Sequence, residues 1–156
     1  MTVTTANATQ PAVQKLPTGI ESFDIIAKGG LPQHRTTLLS GTAGSGKTVF
    51  AMQFLAAGIR DSDERGVFVT FEESAADIRT NMRSFGWDLE AWERAGKLAF
   101  VDASPDPHVE TVESGSFDLG ALLARVAHAV KRIGAARVSV DSLGAVFSLF
   151  SVQLVV

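Results

Sequence analysis

The sequence predicts an α/β protein built on a mostly parallel sheet flanked by helices. Short apolar runs alternate along the chain with longer segments at helical spacing, the pattern of strands joined by crossover helices. A glycine-rich loop, Gly41-Thr42-Ala43-Gly44-Ser45-Gly46-Lys47-Thr48, stands between one such run and one such segment. Two later apolar runs end on acids, the first on Glu72 and Glu73, the second on Asp141. Parallel strands present their carboxyl ends on one sheet edge, so the loop and these acids are expected to meet there.

Taken in order, residues 1–14 have neither a basic stretch nor an apolar core of signal-peptide type and are expected to form a flexible tail. Thr18-Gly19-Ile20, Phe23-Asp24 and Gly29-Gly30-Leu31-Pro32 frame a short helix bounded by turn residues. Thr36-Thr37-Leu38-Leu39-Ser40 is expected as the strand entering the glycine loop, and Val49 to Ala57 as the helix leaving it. After a polar turn from Asp61 to Gly66, Val67-Phe68-Val69-Thr70-Phe71 has the continuous apolar character of a strand buried on both faces. Ser74 with Asp77 three residues on resembles a capping box opening a helix through Ala75, Ile78, Met82 and Phe85 as far as Gly86. Asp88 caps a shorter helix ending near Gly96, and Leu98-Ala99-Phe100-Val101 is the next strand. A polar loop holding Pro105 and Pro107 runs to about Gly115. Asp118 precedes Leu119, Leu122, Leu123, Val126, Val130 and Ile133, an apolar stripe at helical spacing that closes on Lys131, Arg132 and Gly134. Arg137-Val138-Ser139-Val140-Asp141 then alternates as a strand.

The chain has 156 residues, the length of one domain, with 46% hydrophobic residues and a formal charge of -3. That balance excludes a broad electrostatic footprint for nucleic acid or anionic membrane, so affinity for anions must be local. There is no cysteine, which excludes disulfides and thiolate metal sites, and a cytoplasmic location is expected. The apolar end from Leu143 to Val156 is interrupted by Ser148, Ser151 and Gln153 and falls short of the ~20 residues of a membrane-spanning helix. His34, His108 and His128 lack the spacing of paired metal ligands, and Trp87 and Trp92 are expected to pack.

Gly41 to Thr48 fits GxxxxGK[ST], the phosphate-binding P-loop. Glycines in such a loop let backbone N–H groups turn inward around a β-phosphate, a lysine reaches the β and γ oxygens, and a hydroxyl ligates Mg²⁺. Lys47 and Thr48 are those residues here. Asp141, ending an apolar strand downstream, is expected as a Walker B acid on the Mg²⁺ side. Glu72 and Glu73 are adjacent at a strand end, where side chains alternate between faces, so one of them is expected to reach the γ-phosphate side and orient or deprotonate water.

Thr18-Gly19-Ile20 with Gly29-Gly30-Leu31-Pro32, the P-loop, Val67 to Glu73, Ser84-Phe85-Gly86-Trp87-Asp88-Leu89 and Asp102-Ala103-Ser104-Pro105-Asp106-Pro107 together resemble the KaiC family of circadian clock ATPases, and within it the first of two RecA-like domains. The resemblance covers Lys15 to about Phe147. It implies a RecA-like P-loop fold, slow ATP hydrolysis with Mg²⁺, a hexameric ring with nucleotide between subunits, and clock-type protein partners. It assigns Gly41, Thr42, Ala43, Gly44, Ser45, Gly46, Lys47, Thr48, Val49, Ser84 and Asp141 to the nucleotide, Thr48 and Asp141 to the metal, and Glu72 and Glu73 to catalysis. The chain departs from the pattern by stopping soon after Asp141. A partial domain over residues 15–147, a divergent apolar tail over 148–156 and no autokinase activity, which the family keeps in its second domain, are therefore expected. Two other readings stand beside this one: a nucleotide-binding or interaction module without turnover, and a RecA-like ATPase dependent on single-stranded DNA. The acidic charge balance and the lack of a basic groove with stacking aromatics weigh against the last.

Overall fold

A computed structural model describes residues 13–103, 119–142 and 144. Expectations that fall on other residues, among them His108, the proline-bearing loop, the Asp118 cap and the terminal apolar segment, lie outside the described residues.

Two short strands, β1 (Lys15–Leu16) and β2 (Leu31–Pro32), pair antiparallel around helix α1 (Glu21–Ile26). The expected short helix is thus present, and Asp24 organises its approach by accepting from Thr18 N, Thr18 Oγ1 and Gly19 N. Gly30 sits at φ +106°, where a Cβ would lie 2.1 Å from Leu16 O, so only glycine lets the two strands close.

Helix α2 (Lys47–Asp61) follows the P-loop and leads to β3 (Gly66–Thr70). Helix α3 (Ala75–Met82), a 3₁₀ turn (Arg83–Phe85) and α4 (Leu89–Arg94) lead to β4 (Leu98–Asp102), and α5 (Leu119–Ile133) leads to β5 (Arg137–Asp141). Strands β3, β4 and β5 form a parallel sheet in the order β4-β3-β5, as the alternation predicts. Ser74 and Asp88 both serve as N-caps, Ser74 Oγ accepting from Asp77 N and Asp88 Oδ1 from Ala91 N. The Asp77 carboxylate, however, accepts from the Ser74 hydroxyl, and the return bond of a capping box to Ser74 N is not seen among the described residues. The α3 segment departs from expectation at its end. The α-helix stops at Met82, the next turn tightens, and Phe85 is half-exposed and stacks on the buried Trp87.

The sheet is covered on both faces. Met52 and Leu55 of α2, Ile78 and Met82 of α3, Trp87, and Leu89 of α4 pack with Phe68 on one side. Leu122, Ala129 and Ile133 of α5 pack with Val67, Val69, Phe71, Ala99 and Val101 on the other. Each such large side chain contributes about 1.5–3 kcal/mol through burial. Helix α5 uses only part of its predicted stripe, for Leu119 and Leu123 are exposed.

One predicted strand is corrected. Thr36 to Ser40 forms no strand, its residues are exposed, and Leu38 is 72% accessible. A strand exists only as a member of a ladder, and among the described residues β5 pairs with β3 alone. Among the described residues no strand pairs with Thr36 to Ser40, so nothing there holds the segment in register.

Candidate functional site

The chain runs from β3 to β4 on one side and places β5 on the other side of β3. That reversal is the topological switch point, and crevices for ligands open there at the carboxyl ends of the strands. The P-loop, the β3–α3 turn and the end of β5 converge on this edge.

Gly44 and Gly46 take left-handed conformations at φ +77° and +83°, and no atom lies within 4 Å of where a Cβ would stand on either. The space beside each of these α-carbons is therefore open. Gly46 is also the N-cap of α2, which has no side-chain cap and no acid in its first turn. The orphan N–H groups and positive end of this 15-residue helix suit an anion. Lys47 Nζ donates across the loop to Gly41 O at 3.0 Å and Thr42 O at 2.9 Å, which keeps its ammonium at the loop mouth. Two clefts elsewhere, between Arg79 and Glu90 and against β4 and α5, do not include the P-loop, whose residues 41–46 are exposed and form an open cradle.

Thr48 Oγ1 donates to Asp141 Oδ2 at 2.5 Å, so the loop hydroxyl and the acid ending β5 share one point. Ser142 Oγ donates to Glu72 Oε1, bringing the first glutamate to the same strand end. Glu73 diverges: its Oε2 accepts from Asn81 Nδ2 of α3 at 3.0 Å. Both glutamates lie beyond the end of β3 at Thr70, so strand alternation does not govern them; the turn itself directs one carboxylate toward Ser142 and the other along α3. Ser84 donates to Asn81 O at 2.9 Å, and its hydrogen bonding links it to α3 rather than to the P-loop. Helix α3 is braced from behind by Arg79, whose guanidinium is bidentate to Glu93 at 2.7 and 2.9 Å; this hydrogen bonding holds Arg79 above its ordinary pKa.

A hydroxyl and carboxylate oxygens are the donors a hard cation takes. No cluster of three or more His, Cys, Asp or Glu able to hold a metal occurs among the described residues. Ser142, Asn81, Asp102 and Thr70 were not singled out for the site by sequence. A signal for Asp102 existed: it ends β4 as Asp141 ends β5, and both pair with Thr70 in register.

A family model described as "ATPase: KaiC" matches residues 16–154. The chain is 57% identical over 139 residues to "Circadian clock protein KaiC3" of Synechocystis sp. (strain ATCC 27184 / PCC 6803 / Kazusa), covering 89% of this chain and 27% of that protein. It is 52% identical over 151 residues to "Circadian clock oscillator protein KaiC" of Parasynechococcus marenigrum (strain WH8102), covering 97% and 29%. With the protein of the same name from Synechococcus elongatus (strain ATCC 33912 / PCC 7942 / FACHB-805) the identity is 51% over 156 residues, or 100% and 30%. The chain thus spans under a third of the length of these curated relatives. No described helix is long and apolar enough to cross a membrane. The P-loop opening α2, the acid ending β5 and a family match over nearly the whole chain agree: the chain belongs to the KaiC ATPase family, with a RecA-like P-loop fold.

Proposed function

We propose that this chain binds Mg-ATP through Gly41 to Val49 and hydrolyses it slowly, with Glu72 as the general base. The observation that carries this reading is the pair of bonds Thr48–Asp141 and Ser142–Glu72, which ties metal-side and base-side groups to one strand end. The N–H groups of residues 44–48 cradle the β-phosphate and the Lys47 ammonium neutralises β and γ oxygens. Thr48 and Asp141, joined through their side-chain oxygens, would hold the Mg²⁺ side of the site. When bound, Mg²⁺ would neutralise negative charge that develops on the phosphates during transfer. Glu72 accepts the proton of the attacking water as the bond from its oxygen to the γ-phosphorus forms and the bond from the γ-phosphorus to the β–γ bridging oxygen breaks, leaving ADP and inorganic phosphate. Glu73, drawn to Asn81, supports the turn and lies second to Glu72 in the reaction.

Adenine specificity, a ring of subunits with nucleotide between them, clock-type partners and a cytoplasmic setting follow the family reading and the names of the relatives. Ser84, in the turn after α3 and bonded back to Asn81 O, is then suited to a nucleotide site completed by a neighbouring subunit rather than to its own P-loop.

Steady-state Mg-ATP hydrolysis by the wild type, Glu72→Gln and Glu73→Gln tests the assignment. Loss of a general base predicts a fall of about 100-fold or more for Glu72→Gln, and a much smaller one for Glu73→Gln. Equal rates in all three remove the proposed base. Binding without turnover in the wild type establishes the module reading instead, and salt-sensitive stimulation by single-stranded DNA would establish the recombinase-like one.

A further inference from the structure

Four residues, Phe71 to Ser74, make the turn that carries both glutamates, and its two ends are fastened differently. At the β3 end, Phe71 N donates to Asp141 O at 2.9 Å and Ala103 N donates to Thr70 O at 2.8 Å. Inside the turn, Thr70 Oγ1 donates to Glu73 O at 2.6 Å. At the α3 end, Ala75 N donates to Asp102 Oδ2 at 2.8 Å. Ala75 opens α3, so its N–H is one of the helix's orphan donors. The Ser74 side chain serves Asp77 N instead, and the acceptor for Ala75 comes from a different strand, 27 residues on. Ala75 is 7% exposed, which makes an unanswered N–H there costly. A carboxylate is the acceptor best suited to that place, since the bond is charge-assisted and lies at the positive end of a helix.

We propose that Asp102 is a positioning residue: by holding the Ala75 N–H it fixes the turn in which Glu72 meets Ser142, and so places the proposed base. Asp102, Thr70 and Asp141 stand in one register row across β4, β3 and β5. The metal-side acid and the turn-holding acid therefore share the same rigid sheet edge, with the glutamate turn rising between them. The catalytic half of this inference rests on the hydrolysis reading above; the positional half does not.

The test compares wild type, Asp102→Asn and Asp102→Ala in the full chain, with and without Glu72→Gln. It reads amide hydrogen exchange at Ala75 and kcat and KM for Mg-ATP. Asparagine keeps an oxygen that accepts from Ala75 N–H, and alanine does not. Asp102→Ala is expected to speed Ala75 exchange about tenfold and to lower kcat about tenfold or more with KM little changed. Asp102→Asn stays close to wild type in both readouts. In the Glu72→Gln background, Asp102→Ala is expected to cost nothing further, because its effect passes through Glu72. Unchanged Ala75 exchange in Asp102→Ala overturns the proposal, as does an equal loss of rate in the Glu72→Gln background or an asparagine variant as slow as the alanine one. Should Asp102→Ala fail to fold, Asp102→Ser is read in its place. A wild type that binds Mg-ATP without hydrolysing it overturns the hydrolysis reading, and Ala75 exchange still decides the positional claim.

Discussion

Thr48 and Asp141 are 93 positions apart in sequence and 2.5 Å apart through their side-chain oxygens. If that shared point is the metal side of the site, Thr48→Ala removes a ligand and leaves the cradle of N–H groups intact. The Mg²⁺ concentration needed for half-maximal ATP binding is then expected to rise about tenfold or more, measured by nucleotide titration at several Mg²⁺ levels. An unchanged Mg²⁺ requirement contradicts the role of Thr48. At this scale the sequence was most informative for the P-loop, because its chemistry is local: glycine freedom, a lysine and a hydroxyl within eight consecutive residues. Asp141 was legible as the acid ending an apolar strand. Ser142 and Asn81 were not, since their meaning lies in meeting Glu72 and Glu73, and those meetings depend on strand order and on the direction in which α3 leaves the sheet.

Among the elements, β5 shows how a strand can be read correctly while its key residue is missed. Its alternation predicts a strand, but Arg137 at its start is 3% exposed. The guanidinium donates to Glu64 at 2.5 Å, to Pro17 O at 2.7 Å and to Phe54 O at 2.9 Å, and it lies 4.6 Å from the Phe54 ring centroid. One side chain thus ties the start of β5 to α2, to the turn before β3 and to the chain leaving β1. Arg137→Met keeps apolar bulk and leaves Glu64 and two carbonyls unanswered, so a loss of about 3 kcal/mol is expected, read as a lowered denaturation midpoint. An unchanged midpoint would show that the bonds contribute nothing net. A buried arginine of this kind is invisible to hydropathy because its partners come from three separate segments. Thr36 to Ser40 shows the converse. Apolar β-rich composition predicts a strand there, yet composition describes one segment and a strand requires two. The helices were the more legible elements, as their caps at Ser74 and Asp88 lie in the same segment as the turns they serve.

At the scale of the whole molecule, the described residues form three layers, with α2, α3 and α4 on one face of a three-stranded sheet and α5 on the other, and the P-loop and the glutamate-bearing turn at the carboxyl edge of its strands. The fold class was legible from alternation alone. The sheet's order was not, because apolar runs do not say which strands are neighbours; β5 lies beside β3 rather than beside β4, and that placement brings Asp141 and Ser142 to the P-loop and to Glu72. The relatives are more than three times as long as the stretch they share with this chain, so any ring or clock function belongs to the proposal rather than to the fold. Everything proposed for the site depends first on capture of nucleotide by the P-loop. Calorimetric titration of Mg-ATP into the full wild-type chain and into Lys47→Ala measures that capture directly. Removing a charge-assisted contact to phosphate predicts saturable binding to the wild type and an affinity lower by about tenfold to 100-fold in the variant; no binding by the folded wild type, or equal binding by both, contradicts it.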